Sequence, residues 1–181
     1  MKLFSHIVGG VGAASFILLF SGGGAGSFLY SSILSFLVNF IIDLGHVRVR
    51  RRYIVRSPVT HEIFSCSAIS ITIGILLWLA VGSIYSVSIH VSIILSLAIA
   101  VSHIVGDLIT RGGVYIMGIY NIYNISLANL KYNDPRANAI YTSILCIPTT
   151  LLLLHIYTNP GDIPGYGFIE KIIEFYQLYS R

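Results

Sequence analysis

Five long apolar runs dominate the sequence, and they restrict the class of fold that it can adopt. They cover about 3–20, 27–44, 58–81, 85–110 and 137–157. A helix rises about 1.5 Å per residue, so about 20 apolar residues cross a bilayer. Each run reaches or approaches that length. We therefore predict an all-α fold: a polytopic membrane helical bundle with about five transmembrane helices.

The overall composition supports a membrane protein and argues against other classes. Hydrophobic residues make up 55% of the chain and charged residues only 10%, whereas a soluble domain has about 25% charged residues. The net charge of +4 does not predict a nucleic-acid partner, because the basic residues cluster between the apolar runs. Cys66 and Cys146 both lie inside apolar runs, so no disulfide framework is predicted.

The distribution of basic residues predicts how the bundle is oriented. With the N-terminus inside, nine of the eleven Lys and Arg residues fall on the inner side, and only Lys171 and Arg181 fall outside. This positive-inside bias predicts an integral protein of the cell membrane with a cytoplasmic N-terminus and an external C-terminus. A cleavable signal over the first 27 residues is the weaker alternative, because it would place His6 inside its apolar segment.

The chain divides into a bundle and a short tail. Residues 1–158 form the predicted transmembrane bundle, and residues 159–181 a turn followed by an amphipathic surface helix over 168–180. The small residues of the first run predict a helix that packs centrally. Ser57 and Pro58 are typical of a helix start. The Tyr-rich segment 114–137 is predicted to be interfacial or partly re-entrant.

Charged and imidazole side chains gather at one end of the predicted spans. Asp43, Glu62 and Asp107 lie within spans or at their ends, where a charge costs several kcal/mol and indicates function. On the predicted topology, all three lie at the inner side of the membrane. The histidines that share this depth are His6, His46, His61 and His103.

These residues predict a metal centre. The candidate ligands are His6, Asp43, His61, His103 and Asp107, with His46 a weaker candidate. Nitrogen and oxygen donors of this kind suit a divalent metal, zinc first and iron or manganese next. His103 and Asp107 are four residues apart and share a helix face. The competing interpretation is that they bond to each other and only pin the helices together.

The remaining polar residues support weaker predictions. Arg56 and Arg111 are candidates for holding a phosphate beside the metal, although topology and lipid-headgroup contact also explain basic residues here. Glu62 follows His61 and is either a supporting group or the partner of an arginine. His90 and His155 fall at the outer ends of their spans and are predicted to be interfacial.

The motifs resemble those of the YdjM-like family of inner-membrane metal-dependent hydrolases. The resemblance covers most of residues 5–118, and its motifs are Ser5-His6, Asp43-Leu44-Gly45-His46, Thr60-His61, Ser102-His103, Asp107-Leu108-Ile109-Thr110 and Gly113-Val114. More distantly, the order of ligands is similar to that of zinc phospholipase C and the P1-type nucleases. Two positions depart from the family: Gly45 replaces an Asp, and Arg56-Ser57-Pro58 replaces His-Arg-Gly. These departures put a second metal in doubt.

The residues and the resemblance together predict a membrane-bound, metal-dependent hydrolase. Its expected substrate is a phosphoester, with a lipid headgroup as one candidate, and its expected partner is membrane lipid. Asp107, Arg56 and Arg111 are the expected catalytic residues. One alternative is a non-enzymatic membrane protein in which the His/Asp cluster is structural. A transporter is a further alternative, but it needs polar groups along a whole pore, and the middles of these spans are mostly apolar.

Overall fold

Five long helices form the bundle in the computed structural model, which describes residues 1–49, 53–117, 122–128 and 130–159. They are α1 (Leu3–Ser21), α2 (Ala25–Leu44), α4 (Ile63–Val81), α5 (Ile89–Leu108) and α6 (Pro135–Thr158). Each is long and apolar enough to cross a membrane. The predicted helical membrane fold is therefore confirmed. The predicted C-terminal amphipathic helix over 168–180 lies outside the described residues.

Helix α1 packs against three other long helices, α2, α5 and α6. Gly12 shows why small residues are needed. A Cβ atom at this position would overlap the backbone carbonyl of Leu145 on α6. The two helix backbones therefore approach as closely as small residues allow in membrane bundles.

The apolar side chains divide between the interior and the outer surface of the bundle. Leu34, Leu95 and Ile99 have no exposed surface, whereas Phe20 and Leu79 are largely exposed. Large exposed apolar side chains on every long helix would be unfavourable in water but suit contact with lipid. This arrangement supports an integral membrane protein.

Two short β-hairpins complete the described fold. Strands β1 (His46–Val49) and β2 (Tyr53–Arg56) pair antiparallel and occupy the predicted basic loop. Strands β3 (Val114–Met117) and β4 (Ile122–Ile125) pair in the same way within the segment predicted to be partly re-entrant. The β-branched and aromatic residues of these strands favour extended backbone, and the segment accordingly forms a hairpin.

The third predicted span is interrupted near its start. Short helix α3 (Pro58–His61) begins as predicted, with the Ser57 side chain accepting a hydrogen bond from the backbone of Val59. Glu62 then adopts an extended conformation (ψ 141°), and its carboxylate accepts a hydrogen bond of 2.8 Å from the backbone of Ser65. Glu62 therefore caps α4 and separates it from His61.

Candidate metal centre

The ends of four helices bring the five predicted ligands together. His6 lies near the start of α1, Asp43 near the end of α2, and His61 at the end of α3. His103 and Asp107 lie near the end of α5 and share a face, as their spacing predicts. The side chains of His6, His61, His103 and Asp107 are buried, whereas the Asp43 side chain is 13% exposed.

The facing donor atoms are separated by distances that suit a single cation. His103 Nε2 lies 3.4 Å from Asp107 Oδ2 and 3.8 Å from Asp43 Oδ1. His61 Nε2 lies 3.6 Å and 3.9 Å from the same two oxygens. Two ligands about 2.1 Å from a metal at a tetrahedral angle are about 3.4 Å apart. The observed separations are close to that value and longer than the ~2.7–3.2 Å typical of N–H···O hydrogen bonds.

The same donor atoms lack hydrogen-bond partners, which is unusual for buried polar groups. Eight buried side-chain nitrogen and oxygen atoms are unpartnered among the described residues, and five of them belong to this cluster as its facing donors. They are His6 Nε2, Asp43 Oδ1, His61 Nε2, His103 Nε2 and Asp107 Oδ2. Burying such atoms without partners costs free energy. Ligand atoms of His61, His103 and Asp107 lie within 4.8 Å of one another, as do those of His6, Asp43 and His103, so each trio could hold a cation.

Neighbouring side chains orient two of the imidazoles. His103 Nδ1 lies 2.8 Å from Asn39 Oδ1, an acceptor, so this nitrogen donates and leaves the Nε2 lone pair facing the cluster. Asn39 in turn donates to the Ser35 carbonyl at 2.7 Å. His61 Nδ1 pairs with the Thr60 hydroxyl at 2.8 Å. Such contacts fix ring orientation and tautomer at metal sites.

The surroundings of His61 favour the neutral form of its imidazole. Burial lowers its pKa and outweighs the opposing effects of the Asp43 and Asp107 carboxylates. The imidazole therefore remains neutral at neutral pH, and the neutral form is the one that binds a metal.

The second oxygen of Asp107 is held by cations. Arg56 Nη2 donates to Asp107 Oδ1 at 2.5 Å, and the ammonium group of Met1 donates to the same oxygen at 2.8 Å. Arg56 Nη1 also donates to the Thr110 hydroxyl and to the Gly113 carbonyl. Arg56, predicted to hold a phosphate, is thus buried against Asp107. Because Arg56 binds Oδ1, the other Asp107 oxygen, Oδ2, faces the cluster.

Three further candidate residues, His46, Glu62 and Arg111, do not belong to the five. His46 is half-buried, donates from Nδ1 to the Asp43 carbonyl at 2.7 Å, and its ring centroid lies 4.7 Å from that of His61. Asp43, His46 and His61 also form a trio of potential ligands. Arg111 is exposed, and its backbone donates to the Leu130 carbonyl.

Glu62 has a structural role at the start of α4. Burial raises its pKa, but hydrogen bonds from Ser65 and from the backbone of Phe64 and Met117 outweigh burial, so the net shift is downward. A carboxylate that stays ionised is a good helix cap. His90 and His155 are exposed at the first turn of α5 and the last turn of α6, away from the cluster.

Asn39 is the supporting residue that the sequence did not reveal. It is completely buried and uncharged, so it carries none of the cost that marks an intramembrane charge. Its spacing is the one available signal: Asn39 precedes Asp43 by four residues and therefore shares a helix face with it.

Gly45 has a packing role that involves Thr60. A Cβ atom on Gly45 would overlap the Thr60 hydroxyl, which contacts His61. Thr60 therefore packs closely in the space that a side chain at position 45 would fill.

Comparison with known proteins identifies a family without assigning a reaction. No curated protein and no solved structure matches the chain. A family model described as "Protein of unknown function (DUF1286)" matches residues 1–107, which include all five residues of the cluster. Since this match covers more than half of the 181 residues, the chain belongs to this family of unknown function, DUF1286.

Proposed function

We propose that the protein is a membrane-bound, metal-dependent hydrolase that cleaves a phosphoester at the cytoplasmic face. One observation carries the proposal: five buried donor atoms from three histidines and two aspartates lack hydrogen-bond partners, and their residues form overlapping trios of potential metal ligands. A hydrogen-bonded structural cluster would pair these atoms. The resemblance to the YdjM-like hydrolases and the ligand order of zinc phosphoesterases support the same reaction class.

The donor set favours zinc, with iron or manganese next. Three imidazoles and two carboxylates are typical of these metals, whereas magnesium and calcium prefer oxygen ligands. A divalent metal of this kind supplies Lewis acidity, which activates water and polarises a phosphoryl oxygen. His6, Asp43, His61, His103 and Asp107 would hold it.

The arginines have different proposed roles. Arg56 holds Asp107 through its guanidinium group, so it positions a ligand and adds positive charge beside the site. Arg111 is exposed three residues after the end of α5 and is proposed to contact the anionic substrate. The cytoplasmic orientation rests on the nine basic residues on the side of the membrane that holds the cluster.

A second candidate is a non-enzymatic membrane protein in which the cluster only holds the bundle together. The ion pairs of Asp107 with Arg56 and Met1 favour it, because they connect separate elements without any metal. This candidate predicts that substitution of His61 lowers thermal stability and that the folded protein hydrolyses no substrate.

The decisive experiment measures metal content of the detergent-purified protein by elemental mass spectrometry. We expect about one metal ion per chain, lost in His61→Ala and in Asp107→Asn. His155→Ala is the matched control, because this exposed histidine lies at the end of α6 remote from the cluster, and it should retain the metal.

Hydrolysis is then measured on the metal-loaded protein with mono- and diester phosphates. Activity should follow metal content across wild type and variants. A well-folded wild type that binds no metal after zinc, iron or manganese is added would contradict the proposal. So would a metal-loaded protein that hydrolyses none of the phosphoesters.

A further inference from the structure

The cluster is open along one edge. Four of its five side chains are at most 1% exposed, whereas that of Asp43 is 13% exposed and that of neighbouring His46 is 25% exposed. Both residues lie where α2 ends and β1 begins. Among the described ligands, Asp43 is therefore the one that a substrate can approach from outside the bundle.

This open edge continues into an aromatic strip on the lipid-facing side of α2. Phe36, Phe40 and Asp43 are spaced as i, i+4 and i+7, so they share one stripe of the helix. Phe36 is 49% exposed and Phe40 is 41% exposed. Their rings stack with centroids 5.8 Å apart. The strip leads from the apolar surface of the bundle directly to the exposed ligand.

The depth and charge of the edge match the interface of a membrane leaflet. Asp43 is the penultimate residue of a span, so it lies at the level where apolar chains give way to headgroups. The hairpin that follows α2 includes Arg48, and the sequence continues with Arg50, Arg51 and Arg52, which lie outside the described residues. Basic residues next to a span end attract anionic headgroups.

We propose that the substrate is a lipid-borne phosphoester that reaches the metal centre sideways from the membrane. Its apolar chain lies along Phe36 and Phe40, and its phosphate lies beside Asp43. This inference rests on the proposed hydrolase function and specifies its substrate class. A water-soluble phosphoester would gain nothing from an aromatic strip that faces lipid.

The reaction is a hydrolysis that needs no further reactant. A water oxygen forms a bond to phosphorus, and one P–O bond to the lipid or to its headgroup breaks. The leaving oxygen takes one proton of the water, and the phosphate product or the solvent takes the other. No oxidation or reduction occurs.

The test compares Phe40→Asn with Ile140→Asn in metal-loaded protein. Ile140 lies within two turns of the start of α6, at a similar depth, and is 63% exposed, so it controls for loss of an apolar lipid contact. The lipid probes are phosphatidic acid and phosphatidylglycerol in detergent micelles. The soluble probes are p-nitrophenyl phosphate and bis(p-nitrophenyl) phosphate.

We expect Phe40→Asn to lower the rate on the lipid probes about tenfold, as loss of one aromatic contact would. Its metal content and its rate on the soluble probes should stay within about twofold of wild type, and Ile140→Asn should change none of the three. The wild-type rate should follow the mole fraction of lipid in the micelle.

Two results would overturn the inference while leaving the hydrolase function intact. One is a wild type that cleaves the soluble probes but neither lipid. The other is an equal effect of Phe40→Asn and Ile140→Asn on lipid cleavage. A metal-loaded wild type that cleaves neither class of probe would instead remove the hydrolase function itself, and this inference with it.

Discussion

Helices α2 and α5 each contribute to two clusters of buried polar groups, and the two clusters differ in one respect. Deep in the bundle, the Tyr30 hydroxyl lies 2.6 Å from the Ser92 hydroxyl, and both groups lie within hydrogen-bond distance of the Gly74 carbonyl. We call this set the Tyr30 cluster. At the metal centre, by contrast, the facing nitrogen and oxygen atoms have no hydrogen-bond partners.

The difference separates a structural role from a binding role. A buried polar group costs free energy unless it is paired, and the Tyr30 cluster meets this requirement with protein atoms alone. The metal centre leaves at least one side-chain nitrogen or oxygen atom of each of five residues unpaired. Substitutions in the Tyr30 cluster should therefore change stability alone, whereas substitutions at the metal centre should change metal binding.

The largest effect is expected from Asp107→Asn. This change removes a ligand and also leaves the buried guanidinium of Arg56 without its carboxylate. Loss of one partner of a buried ion pair costs about 3–5 kcal/mol. We expect metal content to fall to background in elemental analysis and the thermal midpoint to fall in the same protein.

The double variant Asp107→Asn/Arg56→Met separates these two effects. Removing the unpaired guanidinium should restore part of the lost stability without restoring the metal. If the double variant regained metal, Asp107 would not be a ligand, and the contrast between the two polar clusters would fail.

A smaller effect is expected from Asn39→Leu, which removes the acceptor for His103 Nδ1. Loss of such a supporting contact typically lowers metal affinity about 10–100-fold. Competition with a chelator of known zinc affinity measures this change. Asn39→Asp is the matched variant, because it keeps an oxygen acceptor and should retain most of the affinity. Equal losses in the two variants would contradict the proposed role of this hydrogen bond.

Asn39 also shows which part of the site could not be predicted from the sequence. The five candidate ligands could be selected from the sequence because ionisable groups are rare in spans, and the positive-inside rule predicts one depth for all of them. The structure brings these five residues together. An uncharged amide inside an apolar run produces no comparable signal, and its partner is 64 residues away. Only its fold-dependent contact with His103 identifies its role.

The local structure beside the spans was less predictable for a different reason. The strands of both hairpins are only four residues long, too short for a clear alternation of polar and apolar residues. The break at Glu62 was also missed, since Ile63 and Phe64 continue the apolar run without a glycine or proline. The sequence signal for this break was Glu62 itself. Its carboxylate lies three residues before Ser65 and caps the helix by accepting a hydrogen bond from the Ser65 backbone.

Gly45→Ala should have a moderate effect on the metal centre. The added methyl group would displace the Thr60 hydroxyl and loosen its contact with His61. We expect metal affinity to fall about tenfold, at the low end of the range for supporting contacts, in the same chelator competition.

Thr60→Val provides the partner variant for this prediction. It removes the hydroxyl directly, so it should lower affinity by a similar factor, and adding Gly45→Ala to it should cause little further loss. Fully additive losses would show that Gly45 acts on the site by a route other than Thr60.

The smallest effect is expected from Tyr30→Phe in the Tyr30 cluster. The change removes one hydroxyl, but Ser92 can still donate to the Gly74 carbonyl at 2.9 Å, so no carbonyl is left unpaired. Hydrogen bonds between membrane helices contribute about 0.6 kcal/mol on average, so the thermal midpoint should fall slightly while metal content and affinity stay at wild-type values.

A fall in metal affinity comparable to that of Asn39→Leu would show that the two clusters are coupled, because no contact in the described structure joins Tyr30 to a ligand. An unchanged affinity together with a small loss of stability would leave the unpaired donor atoms as the property that distinguishes the metal centre from the Tyr30 cluster.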